Sequence, residues 1–213
     1  MTKIKICGIT NLKDAMYSAT LGADYLGFNF YKKSERKISV KMASEIISKL
    51  AGFVQPVGVF VDEEIENVVN IATQCPLKLI QLHGRETPEY CTQLYEKCPL
   101  PQIKAFKIKG EGTLRYISQY KDSPFSYFLL DAYAPGEEGG TGETFNWDIA
   151  LRVQELFISK PLFLAGGLMP ENVKEAIEKV HPYAVDVASG VERLPRRKDY
   201  EKLKQFIVLA KSV

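Results

Sequence analysis

Residues 161–190 read PLFLAGGLMPENVKEAIEKVHPYAVDVASG. Leu162-Phe163-Leu164 is apolar at consecutive positions, which suits a strand buried on both faces better than the alternation of a one-sided sheet. Val173, Ala176, Ile177 and Val180 recur at helical spacing, so the next segment carries one apolar stripe. Pro170 suits the first position of that helix, where its missing N–H costs nothing. A second β-rich run begins at Ala184. Strand, amphipathic helix and strand in succession form the crossover unit that joins neighbouring parallel strands.

The same alternation extends back to the N-terminus. Strands are predicted to begin near Ile4, Tyr25, Val57, Leu79, Ile103, Tyr127, Leu162 and Ala184. Phe60-Val61 and Phe128-Leu129-Leu130 repeat the consecutive apolar pattern. Between the strands, Leu12, Ala15, Met16 and Ala19 line one helix face, Asn11 suits an N-cap, and Thr87 caps a helix with Pro88 at its first position. Eight βα units of about 25 residues fill the chain. Residues 1–213 are therefore expected to form one domain of the α/β class, a (β/α)8 TIM barrel with a parallel sheet. Closure into a barrel is more economical here than an open doubly wound sheet, although periodicity by itself does not prove it.

Basic and acidic residues nearly balance, 28 against 26, for a net charge of +2. No general field favours nucleic acid or an anionic membrane, so neither is expected as a partner. The densest basic cluster, Arg193 to Lys198, reads as a solvated loop. Cys7, Cys75, Cys91 and Cys98 show no CxxC spacing, and no apolar run approaches the roughly 18 residues that span a bilayer. A reducing cytoplasm is the expected location. Two histidines without clustered carboxylates or thiols suggest no metal site.

In barrels the chemistry lies at the C-terminal strand ends. The polar residues predicted there are Cys7, Asp62, His83, Asp131 and Asp186, with Arg36 in the long second loop. Cys7 is either a small buried hydrophobe or a thiolate base whose pKa would need lowering by nearby cations. Asp131 ends the run Tyr127-Phe128-Leu129-Leu130, where burial would raise its pKa toward that of a general acid. Arg36 either clamps a carboxylate through its bidentate fork or belongs to a solvated charged loop. His83 and Asp186 either hydrogen-bond a substrate or orient their neighbours. Asp62 heads Asp62-Glu63-Glu64 and reads as a helix cap. Glycines after three successive strands, Gly139-Gly140-Thr141-Gly142, Gly166-Gly167 and Ser189-Gly190, suggest a phosphate cradle built from backbone N–H groups, with Gly140, Thr141, Gly166, Gly167, Ser189 and Gly190 as its members.

These positions also carry a family resemblance. Lys5-Ile6-Cys7-Gly8-Ile9-Thr10, Gln81-Leu82-His83-Gly84, Leu129-Leu130-Asp131, Leu164-Ala165-Gly166-Gly167-Leu168 and Asp186-Val187-Ala188-Ser189-Gly190-Val191-Glu192 occur in order and at compatible spacing. The chain resembles the phosphoribosylanthranilate isomerases of tryptophan biosynthesis over essentially its whole length. The resemblance implies a cofactor-free Amadori rearrangement of a small phosphosugar, with Asp131 as general acid and Cys7 as general base. It also implies that Arg36 holds the anthranilate carboxylate and that the glycine loops hold the phosphate. Asn146 stands where the family usually has Asp, Ala188 where Ser is common, and Glu137-Glu138 lengthen and acidify the loop after Asp131. Monomer and homodimer are equally compatible with the sequence.

Two other readings compete. The histidine-pathway isomerase performs the same rearrangement but resembles a duplicated half-barrel with two aspartates, whereas this chain has Cys7 at the first strand and no evident duplication. A binding barrel without turnover would need neither Cys7 nor Asp131.

Overall fold

The computed structural model describes residues 1–50, 52–108, 112–132, 147–157 and 159–213. Its strands are β1 (Lys3–Ile6), β2 (Tyr25–Asn29), β3 (Gln55–Phe60), β4 (Leu79–Leu82), β5 (Gln102–Ile108), β6 (Tyr127–Ala132), β7 (Leu162–Leu164) and β8 (Ala184–Val187). The helices between them are α1 (Leu12–Leu21), α2 (Val40–Lys49), α3 (Ile65–Gln74), α4 (Pro88–Lys97), α5 (Thr113–Ser118), α6 (Asp148–Leu156) and α7 (Val173–Val180). A short hairpin, β9 (Glu192–Leu194) and β10 (Arg197–Lys198), precedes the last helix, α8 (Tyr200–Lys211).

The eight strands form a closed parallel barrel in sequence order. Closure is made by β1 against β8, in register from Lys3 opposite Ala184 to Ile6 opposite Val187. Each strand therefore has an inner and an outer face, both covered. Tyr25, Val57, Leu79, Ile103, Leu129 and Phe163 belong to an apolar cluster inside the barrel. Ile4, Ile6, Leu26, Ile80, Phe128 and Val185 belong to a second cluster, between the barrel and its helices. Alternate residues serve the two cores, which is why the strands read as unbroken apolar runs.

Local chemistry sets most helix starts. The Asn11 side chain accepts from the Asp14 N–H at 2.9 Å, and Thr87 accepts from the Tyr90 N–H at 3.3 Å with Pro88 in the first turn. Three expectations are revised. α7 begins at Val173, after Pro170, because the Asn172 side chain accepts from the Met169 N–H and donates to the Gly167 carbonyl, both at 2.9 Å, holding the preceding residues in a turn. Asp62 caps no helix. Its backbone is left-handed (φ 48°) and its carboxylate accepts from the Arg85 N–H, joining the loops after β3 and β4, while Glu64 takes the N-cap position of α3. The basic cluster 193–198 lies in the β9–β10 hairpin; its residues 193–197 are exposed, in keeping with a solvated segment, and Lys198 departs from that reading by being buried. Cys75 and Cys98 end helices and Cys91 lies within α4.

Candidate active site

A cavity of about 380 Å³ opens at the C-terminal end of the barrel, within the usual range for a small-ligand site. Its walls include Cys7, Arg36, His83, Asp131, Gly166, Gly167, Asp186 and Ser189. The long-range placements follow from strand alternation: Asp131 points inward two residues beyond Leu129, and Asp186 two beyond Ala184. Gly190 packs against the Leu168 carbonyl and stands off the cavity wall. Gly140 and Thr141 lie outside the described residues, as do Glu137, Glu138 and Asn146.

Cys7 sits just past β1, partly exposed to the cavity. Desolvation pushes its thiol above the ordinary value of 9.0, and the nearby Asp186 carboxylate pushes the same way; the Lys5 and Lys198 ammonium groups pull it down without prevailing. The fold does bring cations beside this thiol, as a thiolate base would require, but burial outweighs them. Lys5 lies two residues before Cys7 on the same inward face. It is wholly buried, and its Nζ donates to Asp186 Oδ2 at 2.8 Å. The other carboxylate oxygen of Asp186, Oδ1, is buried with no hydrogen-bond partner among the described residues.

Across the cavity, His83 Nε2 lies 3.1 Å from Asp131 Oδ2, and the Gln81 amide lies 2.8 Å from His83 Nδ1. With the Gln81 Nε2 donating to Nδ1, the ring proton is on Nε2 and points at Asp131. Turning the amide presents its Oε1, buried and unpartnered in the first arrangement, to an Nδ1–H. Nε2 then accepts, and Asp131 carries the proton. The loop bearing His83 is held from behind by a buried pair, Lys104 to Glu86 at 2.7 Å. Lys104 also donates to the Gly84 carbonyl at 2.9 Å, and Glu86 accepts from the Gly84 and Asp62 N–H groups at 3.0 Å.

Gly166 and Gly167 are consecutive left-handed residues, with φ of 85° and 68°. A Cβ at Gly166 would run into the Ala132 backbone, so the β7 loop crosses directly over the end of β6. Successive N–H groups in such a turn form a concavity suited to an anion.

Lys5, Gln81, Lys107, Glu192 and Lys198 escaped the sequence reading of the site. The first three were findable: each lies two residues along its strand from an inward residue, Cys7, Leu79 and Ala105 respectively, and so faces the same interior. Lys107 is also the register partner of Asp131. Glu192 and Lys198 lie on the hairpin, for which no periodicity exists. Among the described residues, no group of three or more His, Cys, Asp and Glu side chains is placed to hold a metal.

Ionisable groups on both sides of one cavity, with a glycine turn suited to an anion, make this the site of an enzyme on a (β/α)8 scaffold. The family model described as N-(5'phosphoribosyl)anthranilate (PRA) isomerase matches residues 4–208, and the chain belongs to that family. The N-(5'-phosphoribosyl)anthranilate isomerase of Geobacter sp. (strain M21) is 47% identical over 213 residues, covering 100% of both chains. The crystal structure of phosphoribosyl anthranilate isomerase from Thermotoga maritima superposes with a TM-score of 0.91 at 43% identity, covering 100% of both. A structure of the enzyme in complex with reduced 1-(o-carboxyphenylamino)-1-deoxyribulose 5-phosphate gives 0.88 at 42% identity, again over 100% of both chains.

Proposed function

We propose that Cys7 and Asp131 are the base and acid of the reaction, that Arg36 takes the substrate's carboxylate, and that the Gly166-Gly167 turn and Ser189 take its phosphate. The reaction is the Amadori rearrangement of N-(5'-phosphoribosyl)anthranilate to 1-(2-carboxyphenylamino)-1-deoxyribulose 5-phosphate in tryptophan biosynthesis. The observation that carries the assignment of roles is the placement in one cavity of Cys7, just past β1, and the His83–Asp131 pair, whose Asp131 stands on β6 with β7 and β8 between.

Asp131, protonated within its pair with His83, delivers a proton to the furanose ring oxygen. The ring C–O bond breaks and the nitrogen lone pair forms an iminium. That iminium acidifies the C2' proton, which the Cys7 thiolate removes, and the electron pair becomes the enolamine double bond. Tautomerisation of the enolamine gives the ketone. A thiol with a raised pKa is populated sparsely as thiolate at neutral pH, but each thiolate is the stronger base. The unpartnered Asp186 Oδ1 accepts from a substrate hydroxyl. Gripping the carboxylate and the phosphate at opposite ends leaves the reacting carbons between acid and base. Gly190 lets the β8 loop close onto Leu168 and so sets the height of Ser189 in the cradle. Gly140 and Thr141 complete the proposed phosphate set.

The test is loss of substrate fluorescence when the purified protein is given freshly generated phosphoribosylanthranilate. Loss well above the spontaneous rate is expected, and a rate equal to it would sink the isomerase assignment. The expected location is the cytoplasm; no helix among the described residues is long and apolar enough to cross a membrane.

A further inference from the structure

The β9–β10 hairpin contains two buried charged residues, Glu192, to which no role is assigned above, and Lys198, which acts on the Cys7 thiol. Glu192 and Lys198 are 8% and 6% exposed. The Glu192 carboxylate accepts from Arg36 through Nε (3.0 and 3.2 Å to its two oxygens) and through Nη2 (2.8 Å). Its Oε1 also accepts from Lys198 Nζ at 3.0 Å. Lys198 is fixed in turn: its Nζ donates to the Ala188 carbonyl at 2.8 Å, and its backbone N–H donates to Asp14 Oδ2 at 3.0 Å. The hairpin is thereby fastened both to the end of β8 and to the first turn of α1.

We propose that Glu192 is a positioning residue for Arg36: backed by Lys198, it engages one edge of the guanidinium so that the remaining Nη1 end faces the cavity and receives the substrate carboxylate. The proposal rests on the assignment of Arg36 as the carboxylate clamp. A guanidinium offers five N–H donors in a rigid plane. Glu192 engages the Nε and Nη2 side, leaving the Nη1 end outside that contact. Arg36 lines the cavity with its side chain 17% exposed. Its stem is confined as well, because Gly8 (φ 76°) packs so closely that a Cβ there would lie 2.6 Å from Arg36 Cδ.

A carboxylate serving only to neutralise Lys198 would have no need to engage the arginine along its edge. Two cations sharing one carboxylate also leave a surplus positive charge, and Arg36 is the one of the two that lines the cavity. A long arginine held in advance loses little side-chain freedom when an anion arrives, so the tether favours binding of the carboxylated ring specifically.

Two ligands separate this role from simple support of the fold: reduced 1-(o-carboxyphenylamino)-1-deoxyribulose 5-phosphate, and the same compound without the ring carboxylate. Dissociation constants are measured by calorimetry for the wild type, Arg36→Met and Glu192→Gln. Glu192→Gln is expected to weaken the carboxylated ligand about tenfold, the scale of one hydrogen bond to a charged group, and to leave the other within about twofold. Equal weakening of both ligands, or of neither, overturns the proposal. If Arg36→Met fails to weaken the carboxylated ligand selectively, the clamp assignment falls and this proposal falls with it. A selective Arg36→Met beside an unselective Glu192→Gln overturns the positioning role alone. Should Glu192→Gln not fold, Glu192→Gln combined with Lys198→Met removes both buried charges and is expected to show the same selective loss; no selectivity there counts against the proposal equally.

Discussion

At the N-terminal end of the barrel, Tyr25, Leu79, Ile103, Leu129 and Phe163 close the interior with apolar side chains, and Phe163 meets the rings of Tyr25 and Tyr127 edge-on at 5.4 Å. At the C-terminal end of the barrel stand Gln81, Asp131, Ala165 and Asp186. Two residues along a strand carry the chain from one environment to the other: Leu129 to Asp131, Leu79 to Gln81, Phe163 to Ala165. The closed end gains stability from burying apolar side chains and rings. The open end keeps costly features where reactive groups face the cavity: a buried carboxylate oxygen on Asp186 without a partner among the described residues, and a desolvated thiol on Cys7.

This division can be broken by substitutions at either end. The largest effect is expected at the open end, where Asp131→Asn and Cys7→Ser should each lower kcat by at least about 10²-fold, the usual scale for removing an acid or base. Thermal melting should show little loss of stability in either, and near-normal turnover would reassign that residue's role. At the closed end, Phe163→Ala should cost about 3–5 kcal/mol in urea unfolding, the range for deleting a fully buried aromatic ring. The protein that remains folded should keep a kcat within a few-fold of normal; a collapse in kcat comparable to that of Asp131→Asn would show that the two ends are not separable.

Arg36→Met sharpens the comparison within the open end. It should raise KM about tenfold with little change in kcat, since the carboxylate lies away from the reacting carbons. An unchanged KM would place the carboxylate contact elsewhere. The mildest effect is in the pH profile of the unaltered enzyme. With the Cys7 thiolate as the proposed base, and burial holding its thiol above the ordinary value of 9.0, kcat/KM should rise as pH increases from 7 toward 9. Cys7→Ser should remove that rise from whatever activity remains, and a rise that persists in Cys7→Ser would assign the titration to another group.

The eight strand starts and the capped helices at Asn11 and Thr87 were legible because they rest on local patterns: consecutive apolar residues, helical spacing and short polar caps. Pro170 misled because a side chain two residues later, Asn172, satisfies the turn and delays the helix. Asp62 misled because an acidic run before a helix has two uses, and its partner, the Arg85 N–H, lies beyond α3 in the chain. Cys7, Asp131 and the glycine pair at Gly166-Gly167 stood out as polar or flexible residues at the ends of apolar runs. Lys198 did not, because it lies on a hairpin with no periodicity to mark its burial; Lys5 was overlooked although its two-residue spacing from Cys7 marks it as inward.

By itself the sequence determined the alternation of strands and helices, the inward placement of Cys7, His83, Asp131 and Asp186 at strand ends, and the family to which the chain belongs. These depend on contacts near in sequence and on the period-two geometry of a strand. Tertiary structure alone decided barrel closure, the meeting of His83 with Asp131, the pairing of Lys5 with Asp186, and the burial of Glu192 between Arg36 and Lys198. Lys5 and Asp186 are 181 positions apart, and Arg36 and Glu192 156. No local propensity encodes such partners; they are set when β1 closes against β8 and brings the two ends of the chain to one cavity.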